Sequence, residues 1–265
     1  MTSTAYDRHA EFFVEFVDRG LASKNGYTSL LLSTLVECLG DRLAGARVCD
    51  LCCGEGYAGR YLLRRGAREV VGIDSSSALI EVARGRAQSA ELSYRVDDAQ
   101  VLGSVGDGEF DVVVSQMAMM DIADHRMMFA SVRRVLVPGG PFIFSVLHPC
   151  FEGRPFHVRE APPYVLDEND LPIAYAVRRY ASEGFWESGG DGVRGRVGSY
   201  HRKLSTYIND LLASGFALER LEELLAGADA TRVGLFAEVP TVLVVAARAL
   251  ADHHNGPNIA TDNAG

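Results

Sequence analysis

Asp50-Leu51-Cys52-Cys53-Gly54-Glu55-Gly56-Tyr57-Ala58-Gly59 is the stretch on which the reading of the fold turns. Before it, residues 47–53 form a short apolar run that reads as a buried strand. After it, residues 57–65 have helical spacing and are closed by Gly66. Glycines after a strand let the backbone turn tightly and let a ligand approach it, and the next helix begins with free N–H groups aimed at that ligand. Gly54, Gly56 and Gly59 spell G-x-G-x-x-G, which alone is weak evidence for a dinucleotide site. Outward from there the alternation repeats. Residues 69–73, 92–96, 110–115 and 142–147 read as strands, and 76–88 and 124–137 as helices, the latter stopped by Pro138-Gly139-Gly140. Short connections between alternating strands and helices predict an α/β, doubly wound, mostly parallel sheet with helices on both faces.

On the N-terminal side, Thr4 to Asp7 resembles a capping box, opening a helix to about Gly20 with Phe12, Phe13, Phe16 and Val17 on one face. A second helix is expected over 28–39. On the C-terminal side the pattern breaks at 148–199, where Pro149, Pro155, Pro162, Pro163 and Pro172 interleave with seven aromatic residues. A long aromatic insertion after a strand is expected to form a lid or binding wall. Order returns with a helix over 200–213 and strands at 216–221 and 241–248. Residues 1–250 thus read as one domain: a helical cap (1–40), a core (41–147), the aromatic lid (148–199) and a C-terminal helix with strands (200–250). Residues 251–265 read as a disordered tail.

The composition narrows the partners. Lys and Arg number 26 against 35 Asp and Glu, a net charge of −9, which disfavours a general nucleic-acid binder because phosphate neutralisation needs a basic footprint. No apolar run approaches the roughly 18–20 residues that span a bilayer, so no membrane role is expected. Five cysteines, three of them within residues 49–53, do not make a disulfide framework and point to a reducing cytoplasm. Cys49, Cys52 and Cys53 have no second cluster at zinc spacing; they read as small buried hydrophobes, and no metal site is expected. The expected partner is a small molecule.

The strand at 69–73 leads into Asp74, eighteen residues past Gly56, where an acid accepts both ribose hydroxyls of an adenosine. Asp50, at the end of the first strand, is placed to meet a cationic group. NAD offers no ammonium there, whereas S-adenosylmethionine carries an α-ammonium and a sulfonium. No Arg or Lys in the loop is placed as a phosphate partner. Together with Asp98-Ala99, the run 110–115 (FDVVVS) and 136–142 (LVPGGPF), these motifs resemble, in order, those of the class I S-adenosylmethionine-dependent methyltransferases, over about 47–147 and more weakly to 248. The resemblance implies a seven-stranded sheet whose last strand is antiparallel. It implies that Asp50, Cys52, Gly54 and Gly56 line the methionine part of the cofactor and that Asp74 holds the ribose. Ser75 and Leu79 would flank the adenosine, Asp98 and Ala99 would meet the adenine amino edge, and Ser115 would offer its carbonyl to the amino group. Tyr6 would cover the cofactor. One departure is Cys52, where the family usually has Gly.

The implied activity is transfer of a methyl group from S-adenosylmethionine, leaving S-adenosylhomocysteine, to O, N or C of a small organic acceptor by in-line displacement. Alignment and exclusion of water supply much of such a rate, and a base is needed only for an acceptor that must lose a proton. Ligands in open α/β sheets bind outside the carboxyl ends of the strands. His148, immediately after the fifth strand and fixed by Pro149, and His201, expected to open the helix at 200–213, are therefore the candidate bases. Met120, Phe151, Trp186 and Tyr200 are the candidate substrate contacts, His125 is expected at the surface, and the Met117–Met128 cluster is expected to fill core. A cofactor-fold cyclase or isomerase, an NAD-dependent oxidoreductase and a non-catalytic binding protein are the alternatives. The apolar N-terminal helices leave self-association open.

Overall fold

A computed structural model describes residues 4–22, 27–152, 164–225 and 239–251. In chain order the elements are α1 (Ala5–Arg8), α2 (Ala10–Ala22), α3 (Tyr27–Leu39), β1 (Arg47–Leu51), α4 (Tyr57–Arg64), β2 (Glu69–Asp74), α5 (Ser77–Arg86), β3 (Leu92–Val96), β4 (Val112–Ser115), α6 (His125–Val135) and β5 (Pro141–Leu147). Then follow β6 (Tyr164–Leu166), β7 (Pro172–Tyr175), β8 (Gly184–Trp186), α7 (Val193–Val197), β9 (Ser199–His201), α8 (Leu204–Ala213), β10 (Phe216–Leu225) and β11 (Pro240–Ala249). Among the described residues no helix is long and apolar enough to cross a membrane.

Seven strands form one sheet in the order β10-β11-β5-β4-β1-β2-β3. β1 to β5 pair in parallel, and β11 runs antiparallel to both β5 and β10. This is the expected sheet with its reversed last strand. Side chains alternate between its two faces, as the two-residue period of a strand requires. Cys49, Leu51, Phe142, Phe144, Leu243 and Val245 point to one face and pack with Phe129 and Val132 of α6 and Tyr207 and Leu211 of α8. Val48, Val70, Ile143, Val242 and Val244 point to the other and pack with Leu35 of α3, Leu62 of α4 and Ile80 of α5. Helices therefore cover both faces.

Several boundaries differ from the sequence reading, each for a local reason. The first helix breaks at His9 into α1 and α2, although the capping box is present: Thr4 and Asp7 bond each other's backbone N–H. β1 stops at Leu51 because Cys52 enters the left-handed region at φ 58°. Phe110 falls outside β4 and only bridges Leu136. α8 begins at Leu204, not 200, because Ser199–His201 pairs antiparallel with Gly184–Trp186. The described part of the aromatic insertion is thus two small hairpins, β6–β7 and β8–β9, with α7 between the strands of the second. Residues 153–163 of the expected lid and 252–265 of the expected tail lie outside the described residues.

One contact locks the sheet to the glycine loop. Tyr94 of β3 lies opposite Gly72 of β2. A Cβ at Gly72 would come within 2.4 Å of the Tyr94 ring and 2.9 Å of Cys53 Sγ. The Tyr94 hydroxyl, 3.4 Å from the Gly56 carbonyl, also fills the place a Cβ at Gly56 would need. Gly72→Ala is expected to cost about 1–3 kcal/mol by overpacking. In urea unfolding, most of that loss should vanish in a Tyr94→Leu background; equal losses in both backgrounds would show that the ring is not the obstacle.

Candidate functional site

Strand order reverses between β1 and β4, and in open α/β sheets the crevice at that point is where ligands bind. An open cavity of about 270 Å³ lies there. The turn after β1 supplies Cys52 and Gly54, the end of β2 supplies Asp74 and Ser75, and α5 supplies Leu79. The segment after β4 supplies Gln116 to Ala118 and Met120 to Ile122. The N-terminal cap (Thr4, Ala5, Tyr6, Phe13) and the β8–β9 hairpin region (Phe185, Val197, Ser199, Tyr200) complete the wall.

The loop geometry explains the glycines. Gly54 and Gly56 have φ 56° and 84°, which only glycine adopts without strain, and Cys52 accepts the same left-handed backbone at φ 58°. Asp74 is fixed by two backbone donors, Gly54 N at 2.9 Å to Oδ2 and Ser76 N at 2.8 Å to Oδ1. Burial raises its carboxyl above the usual range against these two bonds. Asp50 lies beneath the cavity and does not line it; its Oδ2 accepts the Gly59 N–H at 2.8 Å in the first turn of α4. Burial pushes its carboxyl up to about 7, against that bond.

The roof is held by acids as well. Asp7 Oδ1 accepts from Ser76 Oγ at 2.7 Å and from Ala78 N at 3.1 Å, joining α1 to the start of α5. Against the desolvation of its burial, these bonds and those from Thr4 hold its carboxyl at about 2. The Tyr6 hydroxyl donates to Asp121 Oδ2 at 3.0 Å, and Asp121 also pairs with Arg194 of α7. Arg194 in turn donates to the Gly198 carbonyl, and Arg196 stacks 4.3 Å over Phe12 of α2. Cap, post-β4 segment and hairpin are thereby clipped together around the cavity.

Of the residues expected from sequence, Tyr6, Cys52, Gly54, Asp74, Ser75, Leu79, Met120 and Tyr200 come together on the cavity wall. Gly56 shapes the turn from behind. Asp98, Ala99 and Ser115 do not line the cavity: Asp98 caps Gln100, Ala99 is in the core, and Ser115 is fully buried. Phe151 and Trp186 also lie off the wall, Phe151 packing on His148 with ring centroids 4.8 Å apart. Neither candidate base reaches the cavity. His148 is 1% exposed; its Nδ1 accepts from Cys150 N at 3.2 Å and its Nε2 lies 2.8 Å from Glu223. His201 is in β9, not at a helix start, with Nε2 donating to the Tyr180 carbonyl at 2.8 Å. His125 is not at the surface: it is buried beside Asp210 at 2.7 Å, and its pKa is lowered by burial and by Arg202. The methionines divide, with Met117 and Met120 on the cavity wall, Met119 and Met128 in the core and Met127 exposed. Sequence reasoning missed Gln116, Asp121, Phe185 and Arg194. Phe185 carried a signal, an aromatic next to Trp186; the others are ordinary loop residues until their partners are known.

A cationic adenosine cofactor fits these residues. The charged side chains on the wall are Asp74 and the Arg194-paired Asp121, with no Lys, Arg or His among the described lining residues, so a pyrophosphate would meet no cation while a cationic cofactor would meet no like charge. Leu79 and Phe13 give apolar walls beside Asp74.

The folded chain holds a proton on Asp50 that the unfolded chain releases near pH 4. Stability should therefore fall as pH rises from about 4 to about 7 on this account. Asp50→Asn keeps an acceptor for Gly59 and should flatten that fall in urea midpoints measured at pH 5 and pH 7.5. An unchanged slope would show that Asp50 is not its source.

A sequence profile for a methyltransferase domain matches residues 48–140. An S-adenosylmethionine-dependent methyltransferase from Mesorhizobium loti superposes with a TM-score of 0.67 at 29% identity, over 81% of this chain and 96% of its own. A solved chain from Listeria monocytogenes gives 0.69 at 25% identity, over 84% and 100%. A ubiquinone biosynthesis O-methyltransferase from Alkalilimnicola ehrlichii is 36% identical over 121 residues, which are 45% of this chain and 48% of that protein. The chain thus spans about half the length of this relative. Strand order, the glycine turn at the switch point, an acid-lined cavity and these likenesses agree: residues 48–140 match a methyltransferase domain, and the chain has the fold of the class I S-adenosylmethionine-dependent methyltransferases it resembles.

Proposed function

We propose that the chain methylates a hydroxyl of a small, uncharged or cationic, partly aromatic acceptor. The observation that carries this reading is the apolar part of the cavity wall. Met117, Met120, Ile122, Phe185, Val197 and Tyr200 line it, with no cationic side chain among the described lining residues. An acceptor bearing a phosphate or carboxylate would find no counter-charge there. The Phe185 and Tyr200 rings, 5.1 Å apart, offer an aromatic wall. The choice of oxygen is supported by the relative named for ubiquinone biosynthesis O-methylation.

The cofactor supplies a methyl group on a cationic sulfur that leaves as a neutral thioether. The protein's part is then to hold, align and dry. Asp74 holds the ribose hydroxyls, with its own geometry set by Gly54 and Ser76. The Tyr6–Asp121–Arg194 clip closes the roof over the cavity and keeps water out. The Phe185–Tyr200 wall orients the acceptor. Both oxygens of Asp121 are engaged by Arg194, so the clip is a fastening in this reading and not the base. His148 and His201 are engaged off the cavity, by Glu223 and by the Tyr180 carbonyl.

The test is incubation with S-adenosylmethionine and a panel of neutral phenols and hydroxylated heterocycles, read by mass. Gain of one CH2 unit together with S-adenosylhomocysteine is expected. A panel member rearranged at unchanged mass, with the cofactor intact, would replace methyl transfer by a cyclase or isomerase. With an acceptor in hand, Phe185→Ala is expected to raise KM roughly 5- to 10-fold, the weight of one aromatic contact. His201→Gln should leave kcat within about threefold, because general-base catalysis would be worth a hundredfold or more. A hundredfold fall in kcat would restore His201 as the base.

A further inference from the structure

Gln116 is the first residue after β4, at the switch point, and lines the cavity while only 7% exposed. Its amide has a defined orientation. Ser145 Oγ, on β5, accepts the Met117 N–H at 2.8 Å and lies 3.3 Å from Gln116 Oε1, to which it donates. The carbonyl end of the side chain is therefore turned towards β5. The Nε2 end is buried and has no hydrogen-bond partner among the described residues. A buried donor left without an acceptor is destabilising, and such a group in a folded protein calls for an explanation.

The charge of the wall supplies one. The charged side chains on the wall, Asp74 and Asp121, are both acids, whereas the methionine end of the cofactor carries an α-carboxylate. With no Lys, Arg or His among the described lining residues, that carboxylate depends on neutral donors. Gln116 presents two N–H bonds from one nitrogen, just past the carboxyl end of β4, which pairs with β1. We propose that the Gln116 side-chain amide binds the α-carboxylate of S-adenosylmethionine, so that a neutral donor held by Ser145 selects cofactors with an intact amino-acid end. Ser145 is a positioning residue in this arrangement, since it acts through Gln116. The proposal rests on the cofactor assignment made above.

Calorimetric titration of the full chain separates the two. The probes are S-adenosylmethionine and decarboxylated S-adenosylmethionine, which keeps adenine, ribose, sulfonium and ammonium and lacks only the carboxylate. Gln116→Met, similar in shape and without donors, is expected to weaken S-adenosylmethionine about 10- to 100-fold, the size of a hydrogen bond to a charged group. Its affinity for the decarboxylated probe should stay within about twofold. Gln116→Glu, which sets a carboxylate against a carboxylate, should weaken S-adenosylmethionine at least as much while leaving the decarboxylated probe equal or tighter; it carries the test if Gln116→Met fails to fold. Equal losses on both probes, or no loss on either, would overturn the role of Gln116. A wild-type chain that binds neither probe would overturn the cofactor assignment itself, a result distinct from failure of the Gln116 variants.

Discussion

The carboxylate of Asp74 is the joint on which the site depends. One oxygen takes the Gly54 N–H and the other the Ser76 N–H, so a single side chain at the end of β2 ties the glycine turn after β1 to the start of α5. Both tied segments are lines of unsatisfied backbone donors, and a carboxylate is the group that can satisfy two of them at once. The same helix start is gripped from the other side by Asp7, through Ser76 Oγ and Ala78 N. Asp74 thus sets the floor and Asp7 the cap against one shared element. Placement of both follows from how few ways the donors at a helix N-terminus can be met.

Acidic residues dominate the site, yet their environments differ. Asp50, buried, and Asp74, half-buried on the cavity wall, are shifted up by desolvation, while Asp7 is held low by the hydrogen bonds it accepts. Asp121 is neutralised by Arg194. The negative character available to a ligand is therefore concentrated at the floor of the cavity, and the roof acid is spent on fastening the cap to the hairpin. Such a division suits a cofactor whose positive charge must lie deep and an acceptor that enters past aromatic and methionine side chains.

Much of this was legible in the sequence where the cause is local. Strand and helix order, the capping box at Thr4, the glycine turn and Asp74 all follow from period, turn chemistry and spacing, and the structure has them at those positions. What was not legible depends on partners far along the chain. His125 read as a surface residue because nothing near it announces Asp210, 85 residues on. His201 read as a helix opening because its pairing partner Gly184 belongs to a segment without regular pattern. Asp121 and Arg194 looked like ordinary loop charges until the fold joined them, 73 residues apart. Gln116 carried no signal at all, since an unmet hydrogen bond exists only once everything else is packed.

The Tyr6–Asp121–Arg194 clip has a bearing on how the chain is made. Its three members come from the first, the middle and the last third of the sequence, and the earliest must wait for the latest. At ribosomal speeds of about 5–20 residues per second, some 10–40 s separate the emergence of Tyr6 from that of Arg194. Through that interval the strands from β1 to β5 can already assemble, while the amphipathic first helices have a floor to lie on and no roof partner. The roof of the crevice is thus closed only after the five parallel strands beneath it have emerged, and before β10 and β11 extend the sheet.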